Sequence, residues 1–330
     1  MLLKEIYHPI KQELINVEQV LRDSLRSSKY KSILEVNNYL LDAGGKRLRP
    51  ALVLLSAKAS HRTFSSRRIL INIAAAIELI HMASLVHDDV IDHANLRHNK
   101  PTINYKKGEG VAIALGDYLY SAAFGLISTC GNMDVLHCIS SATKAMCEGE
   151  LLQVCERDNI GLLKDRYMVI VKKKTAALFA VSCRAGALIS GFRKSLPNAL
   201  EEYGLNFGIA FQIVDDYLDL AGDEESLGKS AGQDIKAGEV TLPILNLLES
   251  LPLSEREKIK TLLASKRDKE SLERIKSMLF NSQASIKTEK TAVFFINLAK
   301  KRIRILSNSA YKESLLSLAE FIIRRGFNRA

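Results

Sequence analysis

Six aspartates in two identical arrangements are the part of this 330-residue chain best suited to chemistry. Leu85-Val-His-Asp-Asp-Val-Ile-Asp-His93 places Asp88, Asp89 and Asp92 at i, i+1 and i+4. On a helix, Asp88 and Asp92 share one face about one turn apart and repel each other. The preceding residues, Ile77 to Val86, are apolar enough for a core. A core helix that ends in three carboxylates calls for a cation, and hard oxygen donors favour Mg²⁺ bridged to phosphate oxygens. Alone, such a cluster reads equally well as a solvated helix end. The second arrangement decides between the two. Phe211-Gln-Ile-Val-Asp-Asp-Tyr-Leu-Asp-Leu220 repeats the spacing at Asp215, Asp216 and Asp219, 127 residues further on. Two such helices are expected to face one another across a shared set of metal ions, with a polyanion completing the coordination.

Cations for a polyanion are also present. Gly44-Gly-Lys-Arg-Leu-Arg-Pro50 sets three basic residues beside a glycine turn. It is not a Walker loop, which needs Gly-x-x-x-x-Gly-Lys-Ser/Thr. It can cradle a diphosphate through Lys46 and Arg49, or simply cap a helix with basic residues. Arg97 lies nine residues past Asp88, and Lys174, Thr175 and Lys229 add donors that individually read as surface groups.

Positioning these groups falls to helices. Ile10, Leu14, Val17, Val20 and Leu21 recur at helical spacing, as do Ile69, Ile73, Ile77, Ile80 and Leu85. Strand signals are nearly absent. Breaks at Gly44-Gly45, Pro101, Gly108, Gly131-Asn132, Asp158 to Gly161, Leu196-Pro197, Gly222, Gly228 to Gly238 and Pro252 predict roughly ten helices. We read residues 1–330 as a single all-α domain whose tail beyond Pro252 is less informative. Five cysteines without paired spacing exclude a disulfide framework or zinc finger and fit a reducing cytoplasm. Lys4, Glu5, Lys11 and Glu13 interrupt any secretory apolar segment. No apolar run reaches the length of a membrane span free of charged or several polar residues.

The motifs together resemble the trans-polyprenyl diphosphate synthases, which elongate isoprenyl chains head to tail. The resemblance covers roughly Leu40 to Leu248. It rests on Gly44 to Pro50, Leu85 to Asp92 with Arg97 and Pro101-Thr102, Gly116-Asp117, Glu148-Gly-Glu150, Lys174-Thr175, Gln212 to Asp219, Gly228-Lys229 and Thr241-Leu-Pro243. It implies an isoprenoid synthase helical bundle around a central cavity. By the same resemblance, Asp88, Asp92 and Asp215 hold Mg²⁺, helped by Asp89, Asp216 and Asp219. Arg97, Lys174, Thr175, Gln212 and Lys229 bind the allylic diphosphate, farnesyl or geranylgeranyl. Lys46, Arg49, His81 and His98 bind isopentenyl diphosphate. His81 lies seven residues before Asp88, two turns back on the same face, as this placement requires.

In the implied reaction, diphosphate leaves the allylic carbon, the isopentenyl double bond attacks the cation left behind, and a proton departs to the diphosphate. No side-chain nucleophile is needed. Ala83 and Ser84 are small where short-chain relatives place aromatic rings, so the resemblance implies a long product of the heptaprenyl and octaprenyl type, used for quinone side chains. Ile127 and Ile139 would form the deeper floor. A homodimer is also implied. At His98 and Glu239 the chain departs from the family, which carries arginine and lysine there.

Leu251 to Ala330 holds 18 Lys+Arg against 8 Asp+Glu, the whole net charge of +10. Read as a solvated face it does nothing specific; read functionally it gives weak peripheral contact with an anionic membrane. Nucleic-acid binding is disfavoured, because no aromatic residues interleave with the charges. Other readings are a short-chain synthase, a weakly active subunit of a heteromeric synthase, and a class I terpene cyclase. The second Asp-Asp-x-x-Asp speaks against the cyclase.

Overall fold

The computed structural model describes residues 2–59, 66–97, 99–191, 195–222, 232–264 and 268–327. The longer helices are α1 (Lys11–Leu25), α2 (Lys31–Leu41), α3 (Leu48–Lys58), α4 (Arg67–Ile91), α5 (Glu109–Ser128), α6 (Met133–Cys155), α7 (Lys164–Val171), α8 (Ala177–Ile189), α9 (Ser195–Ala221), α10 (Leu242–Ser250), α11 (Leu253–Ala264), α12 (Lys269–Phe280), α13 (Ala284–Arg302) and α14 (Ala310–Phe327). The fold is all-α. Among the described residues its sheet is one small hairpin, β1 (Leu96–Arg97) against β2 (Lys100–Pro101), with Arg97 opposite Lys100.

Helices are more numerous than the glycine and proline breaks predict. In the tail, softer signals do the cutting: Asn281 caps the end of α12, and Asp268 caps its start by accepting from the Ser271 N–H at 2.9 Å. Leu196-Pro197 was expected to be a break, yet both residues lie in the first turn of α9. Proline fits there because a first-turn N–H has no partner within the helix.

The chain divides into two compact units. The first contains Met1–Thr143, Leu178–Gly204 and Arg302–Leu318. Its centre is α4, in which every residue from Leu70 to Ile80 is buried. A helix apolar on all sides needs neighbours on all sides, and α1, α3 and α5 pack against it. The Ser66 hydroxyl caps its start by accepting from the Ile69 N–H at 3.4 Å. Gly116 of α5 permits the close approach of α4, since a Cβ there would lie 2.1 Å from His87 Nε2. Both α4 and α5 are long and apolar enough to cross a membrane. In α4 that apolar surface is spent on packing inside the protein, whereas α5 leaves Val111, Ile113 and Phe124 exposed.

The second unit contains Lys144–Ala177, Leu205–Lys301 and Ala319–Ala330. Hydrogen bonds tie its helices: Asn246 to Thr288 at 2.9 Å joins α10 to α13, and Tyr217 to Ser285 at 2.9 Å joins α9 to α13. Between α7 and α8 lies a π-turn, Lys172–Ala176. Such turns are uncommon and widen the helix locally. Gly149 of α6 lies against this one, where a Cβ would stand 2.3 Å from the Lys174 backbone nitrogen.

Candidate active site

The first aspartate cluster occupies the polar end of α4. Asp88 and Asp89 belong to its last turn, and Asp92 caps it, its N–H bonding the Asp88 carbonyl at 2.8 Å. Asp92 is exposed, Asp88 is half-buried and Asp89 is buried. The hairpin folds Arg97 back onto Asp89, and its Nε and Nη2 donate to Asp89 Oδ1 at 2.9 and 2.7 Å. Burial opposes the Arg97 charge. The bonds to Asp89 and the pull of Asp89, Asp88 and Asp92 outweigh it and raise the guanidinium pKa. Arg97, expected at an allylic diphosphate, is therefore positioned by a carboxylate of the adjacent motif.

A second group of cations gathers around His81. Burial, then the charges of Arg49, Arg97 and Arg47, hold the imidazole pKa well below its ordinary 6.5, so the ring is neutral. Arg49 is buried with its guanidinium 4.3 Å from the Phe179 ring centroid, a cation–π contact that fixes its plane. Arg47 adopts left-handed backbone geometry as the cap of α3 and pairs with Glu18 and Glu78. Lys46 is exposed, and its carbonyl accepts from the Tyr7 hydroxyl at 2.9 Å. The basic segment after Gly44 leads into α3 rather than merely closing α2. It is a connector whose alternate arginines have different partners. His98 lies outside the described residues.

In the second unit, Asp215, Asp216 and Asp219 line the end of α9. Asp215 is half-buried and accepts from Arg325 Nη1 of α14 at 2.6 Å. Asp216 is 4 % exposed. Its Oδ2 accepts from the Tyr167 hydroxyl at 2.6 Å and its Oδ1 from Gln212 Nε2 at 2.7 Å. Burial, with Asp215 and Glu239 nearby, pushes the Asp216 carboxyl up to about 7 against the pull of those two bonds. Asp219 Oδ2 accepts from the Asp234 N–H at 3.0 Å, tying the motif to the segment after Gly232.

The π-turn carries two of the residues expected to meet a ligand, Lys174 and Thr175. Thr175 Oγ1 donates to Gln212 Oε1 at 2.7 Å, and Lys174 pairs with Glu150 at 2.5 Å. Lys229 lies outside the described residues. Glu239, one of the departures, stands 3.9 Å from Arg157 Nη2 and so has a cation of its own. Of the residues expected to line a tunnel, Ala83, Ile127 and Ile139 are buried, and Ser84 is half-buried with its hydroxyl on the His81 carbonyl at 2.9 Å. Within each unit, then, an aspartate triplet lies at a helix end beside basic groups.

The donors at both triplets are oxygens, the chemistry a hard divalent cation selects. Among the described residues no three ligating side chains of His, Cys, Asp or Glu converge. Guanidinium groups occupy Asp89 and Asp215, which marks both as places where positive charge is stable. The residues fit a hard divalent cation with much of its coordination supplied by water or phosphate.

The family described as Polyprenyl synthetase matches residues 30–281. The chain belongs to that family. Family members most similar in sequence include a short chain isoprenyl diphosphate synthase from Methanothermobacter thermautotrophicus, 35% identical over 93% of this chain and 95% of its own. Octaprenyl diphosphate synthase from Escherichia coli is 30% identical over 98% and 99%. Among solved structures, a polyprenyl synthase from Caulobacter crescentus complexed with calcium and isoprenyl diphosphate superposes with a TM-score of 0.92 at 30% identity, covering 98% of both chains. As a family member, the protein is a trans-prenyltransferase that makes isoprenyl diphosphates.

Two residues at the site carry no signal in the aspartate motifs. Tyr167 lies seven residues before Lys174, two helical turns away, and that spacing is the trace it leaves in the sequence. Arg325 belongs to the basic tail, where a solvated face was the simpler reading.

Proposed function

We propose that this chain condenses isopentenyl diphosphate head to tail onto farnesyl or geranylgeranyl diphosphate and makes a long all-trans polyprenyl diphosphate for quinone side chains. The observation that carries the reading is the matched pair of aspartate triplets, each at the end of an apolar helix and each beside its own basic groups. Asp88, Asp92 and Asp215 would hold Mg²⁺, which supplies neutralisation of charge on the leaving diphosphate. Arg97, Lys174, Thr175 and Gln212 would orient the allylic diphosphate. Lys46, Arg49 and neutral His81 would hold the second diphosphate, Arg49 by charge and His81 by hydrogen bonding. Asp88→Ala and Asp215→Ala should each lower the condensation rate by orders of magnitude with the helical circular dichroism unchanged. Near-normal turnover of either with Mg²⁺ would remove that residue from the site.

Relatives named for heptaprenyl, octaprenyl and nonaprenyl products stand beside short-chain and geranylgeranyl ones. The long-chain reading rests on small, buried Ala83 and on Ser84. A second reading takes support from a relative of similar identity: heptaprenyl diphosphate synthase component 2 of Bacillus subtilis is 34% identical over 99% of this chain. On that reading the chain is one subunit of a two-part synthase. Turnover by the purified chain alone rejects it.

A homodimer, work in the cytoplasm and loose contact with anionic membrane complete the proposal. The exposed Val111, Ile113 and Phe124 of α5 support the homodimer, and sedimentation equilibrium at the monomer mass would reject it. The cytoplasmic placement takes support from five free cysteines, and fractionation that finds the chain outside the cytoplasm would reject it. For the membrane, the support is α13, where Ile286 and Phe294 are exposed on a helix that also exposes Lys287, Lys290 and Lys301. Sedimentation with anionic vesicles at low salt should carry the protein down, and high salt should release it. Absence of binding at low salt would reject the contact.

A further inference from the structure

In an Asp-Asp-x-x-Asp motif the middle carboxylate is the natural next candidate for a metal ligand. The hydrogen bonds around Asp216 point elsewhere. Both of its oxygens are engaged, one by the Tyr167 hydroxyl at 2.6 Å and one by the Gln212 amide at 2.7 Å. Tyr167 and Asp216 are both 4 % exposed. Breaking either bond would strand a buried polar group, at a cost well above the strength of an ordinary surface hydrogen bond.

The bonds also have a fixed direction. Asp216 accepts from both neighbours, so the Gln212 amide nitrogen is turned toward it and the amide oxygen toward Thr175. Thr175 must then donate, as it does at 2.7 Å. The phenol donates to the carboxylate, and burial beside Asp216 keeps its proton in place far above the ordinary range. One carboxylate therefore sets the orientation of two further side chains on two elements, α9 and the π-turn. The network takes one amide hydrogen of Gln212 and leaves the second for a ligand.

We infer that Asp216 and Tyr167 form a positioning pair: they lock Gln212 and Thr175 in the orientation that binds the allylic diphosphate, and Asp216 does not ligate metal. The inference rests on the prenyl-transfer reading above, because that reading places the diphosphate at Thr175 and Gln212.

The test uses the full chain and farnesyl thiolodiphosphate, an unreactive allylic analogue, titrated calorimetrically in the presence of Mg²⁺. Tyr167→Phe removes one hydroxyl and keeps the ring. It should weaken analogue binding about five- to twentyfold, and Asp216→Asn should do the same, with the double variant no worse than the weaker single one. The Mg²⁺ concentration for half-maximal binding should be unchanged in all three. In turnover, the KM for the allylic substrate should rise while the KM for isopentenyl diphosphate stays constant, a split that general loosening of the fold would not produce. If Asp216→Asn shifts the Mg²⁺ midpoint tenfold while Tyr167→Phe matches the wild type, Asp216 is a ligand and the inference is wrong. If both variants bind like wild type, the pair positions nothing. Failure of the wild type itself to bind the analogue would reject the prenyl-transfer reading, and the inference with it.

Discussion

His81 illustrates what a single residue's surroundings do to its chemistry. Burial keeps its ring neutral, and the charges of Arg49, Arg97 and Arg47 add to that effect. In the unfolded chain the same imidazole titrates near its ordinary 6.5. Between that value and the depressed folded one, the unfolded chain binds more protons, so stability must fall as pH falls below about 6.5. The slope for one group reaches at most about 1.4 kcal/mol per pH unit. His81→Asn should therefore lose less stability than wild type between pH 7 and pH 5, as read from urea unfolding at each pH. Equal losses in the two proteins would show that His81 is already free to protonate. The aspartates were legible in the sequence because their spacing repeats. The partners of Asp215 and Asp216 were not, because Arg325 and Tyr167 come from α14 and α7, and sequence separation hides a contact that folding makes.

At the scale of elements, α4 carries the most information. Its burial was legible in the apolar residues that recur from Ile69 to Val86, and its polar end in three acids. The π-turn left no comparable pattern, since Lys172 to Ala176 reads as ordinary helix. What betrays the turn is Gly149, whose missing Cβ lets the Lys174 backbone approach. The hairpin after α4 was equally silent, because two-residue strands are too short to show alternation. The chain-length argument belongs here too. Ala83 and Ser84 lie four to five residues before Asp88, about 6–7.5 Å along the helix. A chain growing away from the aspartates must pass this level. Ala83 is fully buried, so Ala83→Tyr either fills a lumen or strains a packed core. In a folded, active variant, products should shorten to farnesyl or geranylgeranyl length when separated by reversed-phase chromatography. Unchanged length would mean that the tail does not run beside Ala83.

For the whole molecule, the decisive property is prenyl transfer, which the proposal assigns to this chain without a second subunit. Fold class and enzyme class were both readable from the motifs, because prenyl transfer needs carboxylates and cations at fixed helical spacings. Product length was less readable, since it depends on a few side chains deep in the protein. The basic tail was the least readable part. Its charge was obvious, but the engagement of Arg325 at Asp215 came to light only with the fold. The most direct measurement incubates the purified chain alone with radiolabelled isopentenyl diphosphate, farnesyl diphosphate and Mg²⁺, and separates the dephosphorylated products by chain length. Label should appear in all-trans polyprenols in the heptaprenyl to decaprenyl range, and chelation of the metal should abolish it. Recovery of all label as unreacted isopentenyl diphosphate, with metal present and the protein folded, would contradict the account.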